Sequence, residues 1–227
     1  MKTALGVSAT FAAGLERIHR LIDTDGAVPA SDKALFAAAA AANKGREDLL
    51  RAELERACRL GTSVAETGGA AIALLLARGE GACEQFARAA ADIFGTTDGD
   101  GGDHEVADAV STSPAEALEY FRHHFGGEVP LRQRAFAEIA PLGFEGYHLM
   151  HRAALKENPL SPKNVELLMC AVNASDYQAA FLEIHIAGAR TVGASEAEIA
   201  EAVLCAIPAA GIGVWPGAAG AIVATRA

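Results

Sequence analysis

The sequence predicts an all-α protein made of two tandem copies of one helical unit, and three observations carry that prediction. First, the chain matches itself without a gap when it is shifted by 132 positions. Gly14 falls on Gly146, His19 on His151, Arg20 on Arg152, Leu50 on Leu182, Ala57 on Ala189 and Gly61 on Gly193. Further on, Ser63 falls on Ser195, Glu66 on Glu198, Gly79 on Gly211 and Gly81 on Gly213. A fixed period marks one structural unit written twice. Second, 51% of residues are hydrophobic but only 6% are aromatic. Alanine dominates, which favours close helix–helix contact over a β-sandwich. Third, no run alternates Val, Ile, Thr and aromatic residues as a strand would. The expected organisation is a first repeat over 1–94, a Gly- and Asp-rich linker over 95–114 and a second repeat over 115–227.

The elements follow in order. Phe11, Leu15, Ile18, Leu21 and Ile22 recur at helical spacing and predict a helix over 8–21. After a turn at 23–29, Ser31 or Asp32 is expected to cap an alanine-rich helix that ends before Asn43-Lys44-Gly45. A longer helix over 47–60 is closed by Gly61. Ser63 with Glu66 reads as a capping box for a helix ending near Gly79. Past the linker, a helix over 131–157 is expected to break near Pro141-Leu142-Gly143. A helix over 163–172 follows, then a loop at Asn173-Ala174. Ser175 with Gln178 reads as a capping box for a helix running to Val192 and stopping at Gly193. Ser195 with Glu198 opens the last long helix.

Composition narrows the function classes. Lys plus Arg total 19 against 29 for Asp plus Glu, a net charge of −10. That balance argues against nucleic acid, whose phosphates need clustered cations. No apolar run reaches the ~20 residues of a spanning helix. The N-terminal stretch has Glu and Arg where a signal peptide's apolar region would continue, so a cytoplasmic location is expected. Cys58, Cys83, Cys170 and Cys205 form no CxxC pair and read as reduced thiols. The linker's DGDGGD stretch is not a calcium loop, because Ala109 stands where the last ligand, a glutamate, is required. No metal site is expected, the histidines being too dispersed for a zinc set.

The two copies differ where chemistry is expected. Glu166 lies on the helix before the loop, and Gln178, Phe181 and His185 share a face of the helix after it. A helix–loop–helix turn brings that face back to Glu166. Burial raises a carboxyl pKa and a neighbouring carboxylate raises that of an imidazole, so such a pair can hold and pass a proton near neutrality. A structural hydrogen bond between two helices is the plainer reading of the same spacing. In the first copy the corresponding residues are Ala34, Arg46, Leu49 and Glu53. One copy is thus expected to carry the site and the other to support it. Tyr177 and Gln178 are candidate hydrogen-bond partners of a substrate, Phe181 and Trp215 candidate pocket walls, and His148 a further candidate contact.

The series Glu166, positions 178 and 181, then His185 resembles the signature of the carboxymuconolactone decarboxylase and alkyl hydroperoxidase D-like superfamily. The stretches PLSPKNVELLMCAVNASDY and EIHIAGARTVGASEAEIAEAV, with the terminal GIGVWPGAA, carry the likeness further. The resemblance implies an all-helical fold and a homo-oligomer joined through helical faces, a trimer for a two-repeat chain. In the peroxidase branch the two middle positions are the redox cysteines. Here they are Gln178 and Phe181, neither of which can form a thiolate. The decarboxylase branch implies a cofactor-independent lyase acting on a small carboxylated lactone or dicarbonyl compound, with His185 as general acid and Glu166 orienting it. A non-catalytic scaffold or binder, and a thiol peroxidase using Cys170 or Cys205, are the alternatives.

Overall fold

The computed structural model describes residues 8–95 and 110–225, and every regular element among them is helical. The first copy holds α1 (Ala9–Asp23), α2 (Ala30–Asn43), α3 (Glu47–Arg59), α4 (Val64–Arg78) and α5 (Glu80–Phe94). Next come α6 (Pro114–His124) and α7 (Leu131–Ile139). The second copy holds α8 (Pro141–Leu155), α9 (Pro162–Ser175), α10 (Ala179–Thr191), α11 (Glu196–Leu204), α12 (Ile207–Ala210) and α13 (Val214–Ala224). The bounds of α1, α2 and α3 reappear, residue for residue, 132 positions later as α8, α9 and α10. Of the linker expected over 95–114, residues 96–109 lie outside the described residues, as does the calcium-loop question, and Pro114 already opens α6.

The chain divides into two compact units, one of residues 1–97 with 158–227 and one of residues 98–157. In the first unit α2 and α9 form the centre. Ala34–Ala42 on α2 and Leu167–Ser175 on α9 are buried on every face. A helix apolar all round belongs in a core rather than at a surface, and the small side chains of α2 let its neighbours approach closely. Register mates meet at both ends of this pair. Asp32 bonds Asn164, while Asn43 Nδ2 donates to Ser175 Oγ at 2.8 Å and Lys44 pairs with Asp176 at 3.2 Å. Equivalent residues touching at both ends require the two helices to run side by side in the same direction, so the local symmetry axis lies along them.

Local chemistry explains most boundaries. Ser63 accepts from Glu66 N while Glu66 returns to Ser63 N at 2.7 Å; Ser195 and Glu198 repeat the box. Gly61 and Gly193 close α3 and α10 at φ 90° and 87°, a region open to glycine because it lacks a Cβ. Two expected caps are corrected. Pro29 precedes α2, and Ala30 N donates to Asp25 Oδ1 instead of to Ser31 or Asp32. Ser175 is the buried last residue of α9, with no loop at Asn173-Ala174, and its hydroxyl donates to Val172 O. Its Oγ accepts from Asn43, and α10 begins only at Ala179, with Gln178 at its N-cap and no side-chain cap. The 131–157 helix breaks at Ala140, as its Pro-Leu-Gly suggested, and α5 was not anticipated.

A buried ion pair ties the copies together. Lys33 Nζ donates to Leu21 O at 2.7 Å and to Glu201 Oε2 at 2.9 Å. Glu201 also accepts from Ala27 N and Val28 N at 2.9 and 3.1 Å. Gly26 makes this approach possible, since a Cβ there would lie 2.4 Å from Glu201 Oε1.

The second unit has its own core of Ala117, Phe121 and Phe144. Against it lies a polar aromatic cluster. Tyr120 Oη bonds His151 Nδ1 at 2.8 Å, and Thr112 Oγ1 bonds His148 Nδ1 at 2.9 Å. Burial pushes the Tyr120 hydroxyl up to about 12 and, helped by Arg152, pushes His148 below the usual imidazole range.

Candidate functional site

The turn between α9 and α10 brings Glu166 and His185 together. His185 Nδ1 lies 2.8 Å from Glu166 Oε2, and both side chains are largely shielded from water. An ionised carboxylate only accepts, so Nδ1 carries the proton of this bond and Nε2 is the nitrogen that Glu166 does not engage. Gly188, one turn after His185, makes room for the acid: a Cβ there would sit 2.7 Å from Glu166 Cδ. Arg190, five residues after His185, binds Glu196, Thr225 and Ile222 O.

The first copy solves the same positions differently. Ala34 replaces Glu166, Glu53 replaces His185 and Arg56 replaces Gly188. Arg56 reaches back to Glu53 from Nη2 at 2.5 Å and Nε at 2.9 Å, and its Nη1 donates to Ile22 O and Ala30 O. Burial raises the Glu53 carboxyl, with Arg56 opposing. The result is a clamp joining α1, α2 and α3, with no imidazole at the position of His185.

The remaining predicted residues are spread more widely. Tyr177 stands between the helices rather than in the first turn of α10, at φ 57°, and is the one non-glycine residue with positive φ among those described. Its register mate is Gly45, at φ 61°. The tyrosine ring packs against Gly213 and Gly217, and its hydroxyl donates to Ala210 O at 2.6 Å. That proton is therefore engaged with the backbone. Gln178 and Phe181 are exposed at the start of α10, and Trp215 is partly exposed on α13. His148 lies in the other compact unit, bonded to Thr112. Arg122 and Arg152 pair with Glu119 and Glu157.

The left-handed backbone at Tyr177 costs ~1–2 kcal/mol for an L-residue. Tyr177→Ala keeps that strain and loses the ring and hydroxyl contacts, whereas Tyr177→Gly loses the contacts but relieves the strain. Denaturant melts are expected to rank the glycine variant above the alanine variant by ~1 kcal/mol, the reverse of the usual order.

Thiol chemistry finds no support in the geometry. Cys170 and Cys205 are buried, and burial pushes both thiols well above the usual range, with the Glu166 charge adding to the effect at Cys170. A thiolate, the reactive form, is disfavoured at both. Among the described residues no cluster of His, Cys, Asp and Glu could hold a metal ion, and no helix is long and apolar enough to cross a membrane.

No curated protein matches the chain. Residues 141–224 match the model of the Carboxymuconolactone decarboxylase family, beginning at the first residue of α8 and spanning Glu166, Tyr177, Gln178, Phe181, His185 and Trp215. Through this segment the chain is similar to the Carboxymuconolactone decarboxylase family.

Proposed function

We propose that this protein is a cofactor-independent lyase of the carboxymuconolactone decarboxylase type, acting in the cytoplasm on a small carboxylated lactone or dicarbonyl compound. The observation that carries the reading is the 2.8 Å contact between His185 Nδ1 and Glu166 Oε2, in the copy that matches the family and at positions where the other copy has Glu53 and Ala34. In decarboxylation the substrate carboxylate leaves as CO₂ and its bonding electrons pass into the neighbouring carbonyl as a dienolate. His185, protonated on both nitrogens, gives the Nε2 proton to carbon and regains one from water. Glu166 holds the ring and balances the imidazolium charge, a contribution that is larger where water is excluded. Gln178, free of capping duty, offers its amide to the substrate carbonyl. Tyr177, Phe181 and Trp215 wall the approach. Phe181 and Ile184, 55% and 42% exposed on α10, give a second copy an apolar face to cover, which supports the homo-oligomer reading.

The test is turnover of carboxylated unsaturated lactones and related dicarbonyl acids in deuterated water. The expected outcome is CO₂ release with one solvent deuterium on the product's carbon skeleton. Failure to turn over any of these compounds, or a product free of deuterium, rejects the lyase.

A further inference from the structure

A groove of the first unit is lined by residues of both copies and includes neither Glu166 nor His185. It measures about 1010 Å³ and runs between α1, the start of α3 and α12. One wall is Phe11, Leu15 and Ile18, a single face of α1; the facing wall is Leu49, Ile207 and Ile212. Phe11 and Ile212 are 62% and 68% exposed, so the groove presents apolar surface to water, an unfavourable arrangement that an apolar guest relieves. The volume sits at the top of the range for small-molecule pockets, ~300–1,000 Å³, and is larger than a small lactone requires.

Arg46 supplies the polar end. It lines the groove, is exposed, and its guanidinium makes no hydrogen bond or ion pair among the described residues. Glu47 and Asp48 beside it occupy the first turn of α3, where the helix dipole favours negative charge. Neither is paired with Arg46, whose guanidinium remains available to an anion. Arg46 is also the register mate of Gln178, the residue read as a substrate contact in the other copy. We propose that this groove is a second ligand site that takes an amphiphilic carboxylate, with the hydrocarbon part between α1 and α12 and the carboxylate on Arg46. The site uses neither Glu166 nor His185.

The probes are decanoate, below its micelle concentration, and decanol, titrated calorimetrically into the intact chain. Decanoate is expected to bind saturably at one site per chain. Arg46→Ala should weaken decanoate about tenfold, the loss of one charge-assisted contact, and leave decanol unchanged. Leu15→Glu should remove both. Phe11→Ala, at an exposed position where the fold is not at stake, should weaken both, and His185→Ala should weaken neither. The site is overturned if decanoate does not saturate, if Arg46→Ala binds it as wild type does, or if Phe11→Ala dissociates an oligomer and leaves decanoate binding unchanged. The last result would mean that the groove is covered by another copy.

Discussion

His185→Ala is expected to lower kcat on the proposed substrate by ~10²–10⁴-fold, the range for a positioned general acid, with the fold retained. The expectation follows from how little else His185 does. Its polar contact is with Glu166, and its ring is not part of the α2–α9 core. Removing it leaves the largely shielded Glu166 carboxylate without its imidazole partner, so a loss of stability is expected beside the kinetic loss. If the reaction needs a proton delivered to carbon, alanine cannot deliver it and no neighbour stands in: Cys170 is buried with its thiol held protonated, and the hydroxyl proton of Tyr177 is given to Ala210 O. Steady-state kinetics with a circular-dichroism check of the fold separates the chemical loss from a structural one. A variant retaining more than about a third of wild-type kcat would remove His185 from the chemistry, since even a weak general acid contributes ~10²-fold.

Lys33→Met is expected to destabilise the protein by ~3 kcal/mol, near the lower end for removing one partner of a buried pair. For a chain of this size the melting temperature would fall by about 6–12 °C. Methionine roughly fills the volume of the lysine stem, so the loss is electrostatic rather than a cavity. Glu201 would keep the amides of Ala27 and Val28 but lose its counter-charge, while Leu21 O would lose its donor. The pH dependence has a definite sign. Burial alone would push the Glu201 carboxyl up, but the two amides and Lys33 outweigh it and hold the group below its ordinary value of 4.5. A carboxyl depressed in the folded state contributes stability that is complete above its unfolded value and is lost as pH falls through its folded value. The wild-type protein should therefore lose this contribution below about pH 4.5. Lys33→Met should flatten that part of the acid transition. Thermal melts between pH 7 and 3 measure both effects. A variant within ~0.5 kcal/mol of wild type, the range of ordinary surface substitutions, would show that the pair does not hold the copies together.

The fold was legible because its boundaries are set by local chemistry. Ser63 and Ser195 each stand three residues before a glutamate, and Gly61 and Gly193 follow the last apolar turn; capping and the left-handed stop need nothing from the rest of the chain. Ser175 shows where this fails. Ser-x-x-Gln has the form of a capping box, but the hydroxyl is taken by Asn43, 132 residues away, a contact no local window contains. Helix α5 was hidden by Gly79 and Gly81 at its start. At the candidate site, the spacing of Glu166 and His185 was enough to predict that they meet, because a helix–turn–helix fixes which faces oppose. The strain at Tyr177 was also present in the sequence: the register sets it on Gly45, which ends the Asn43-Lys44-Gly45 break. The exchange of Gly188 for Arg56 was readable in the same way, and it accompanies the change from an acid–imidazole pair in one copy to a clamp in the other. The apolar groove beside Arg46 depends on α12 lying across from α1, which no spacing reveals.

A double-mutant cycle in kcat tests whether Glu166 and His185 act as one proton-handling unit. Wild type, Glu166→Gln, His185→Ala and the double variant would be compared on the same substrate. If Glu166 works through His185, the glutamine change slows the wild-type enzyme but adds little once His185 is gone, so the double variant is no slower than His185→Ala to within about threefold. Losses that multiply across the two sites, or a Glu166→Gln variant as fast as wild type, would contradict it.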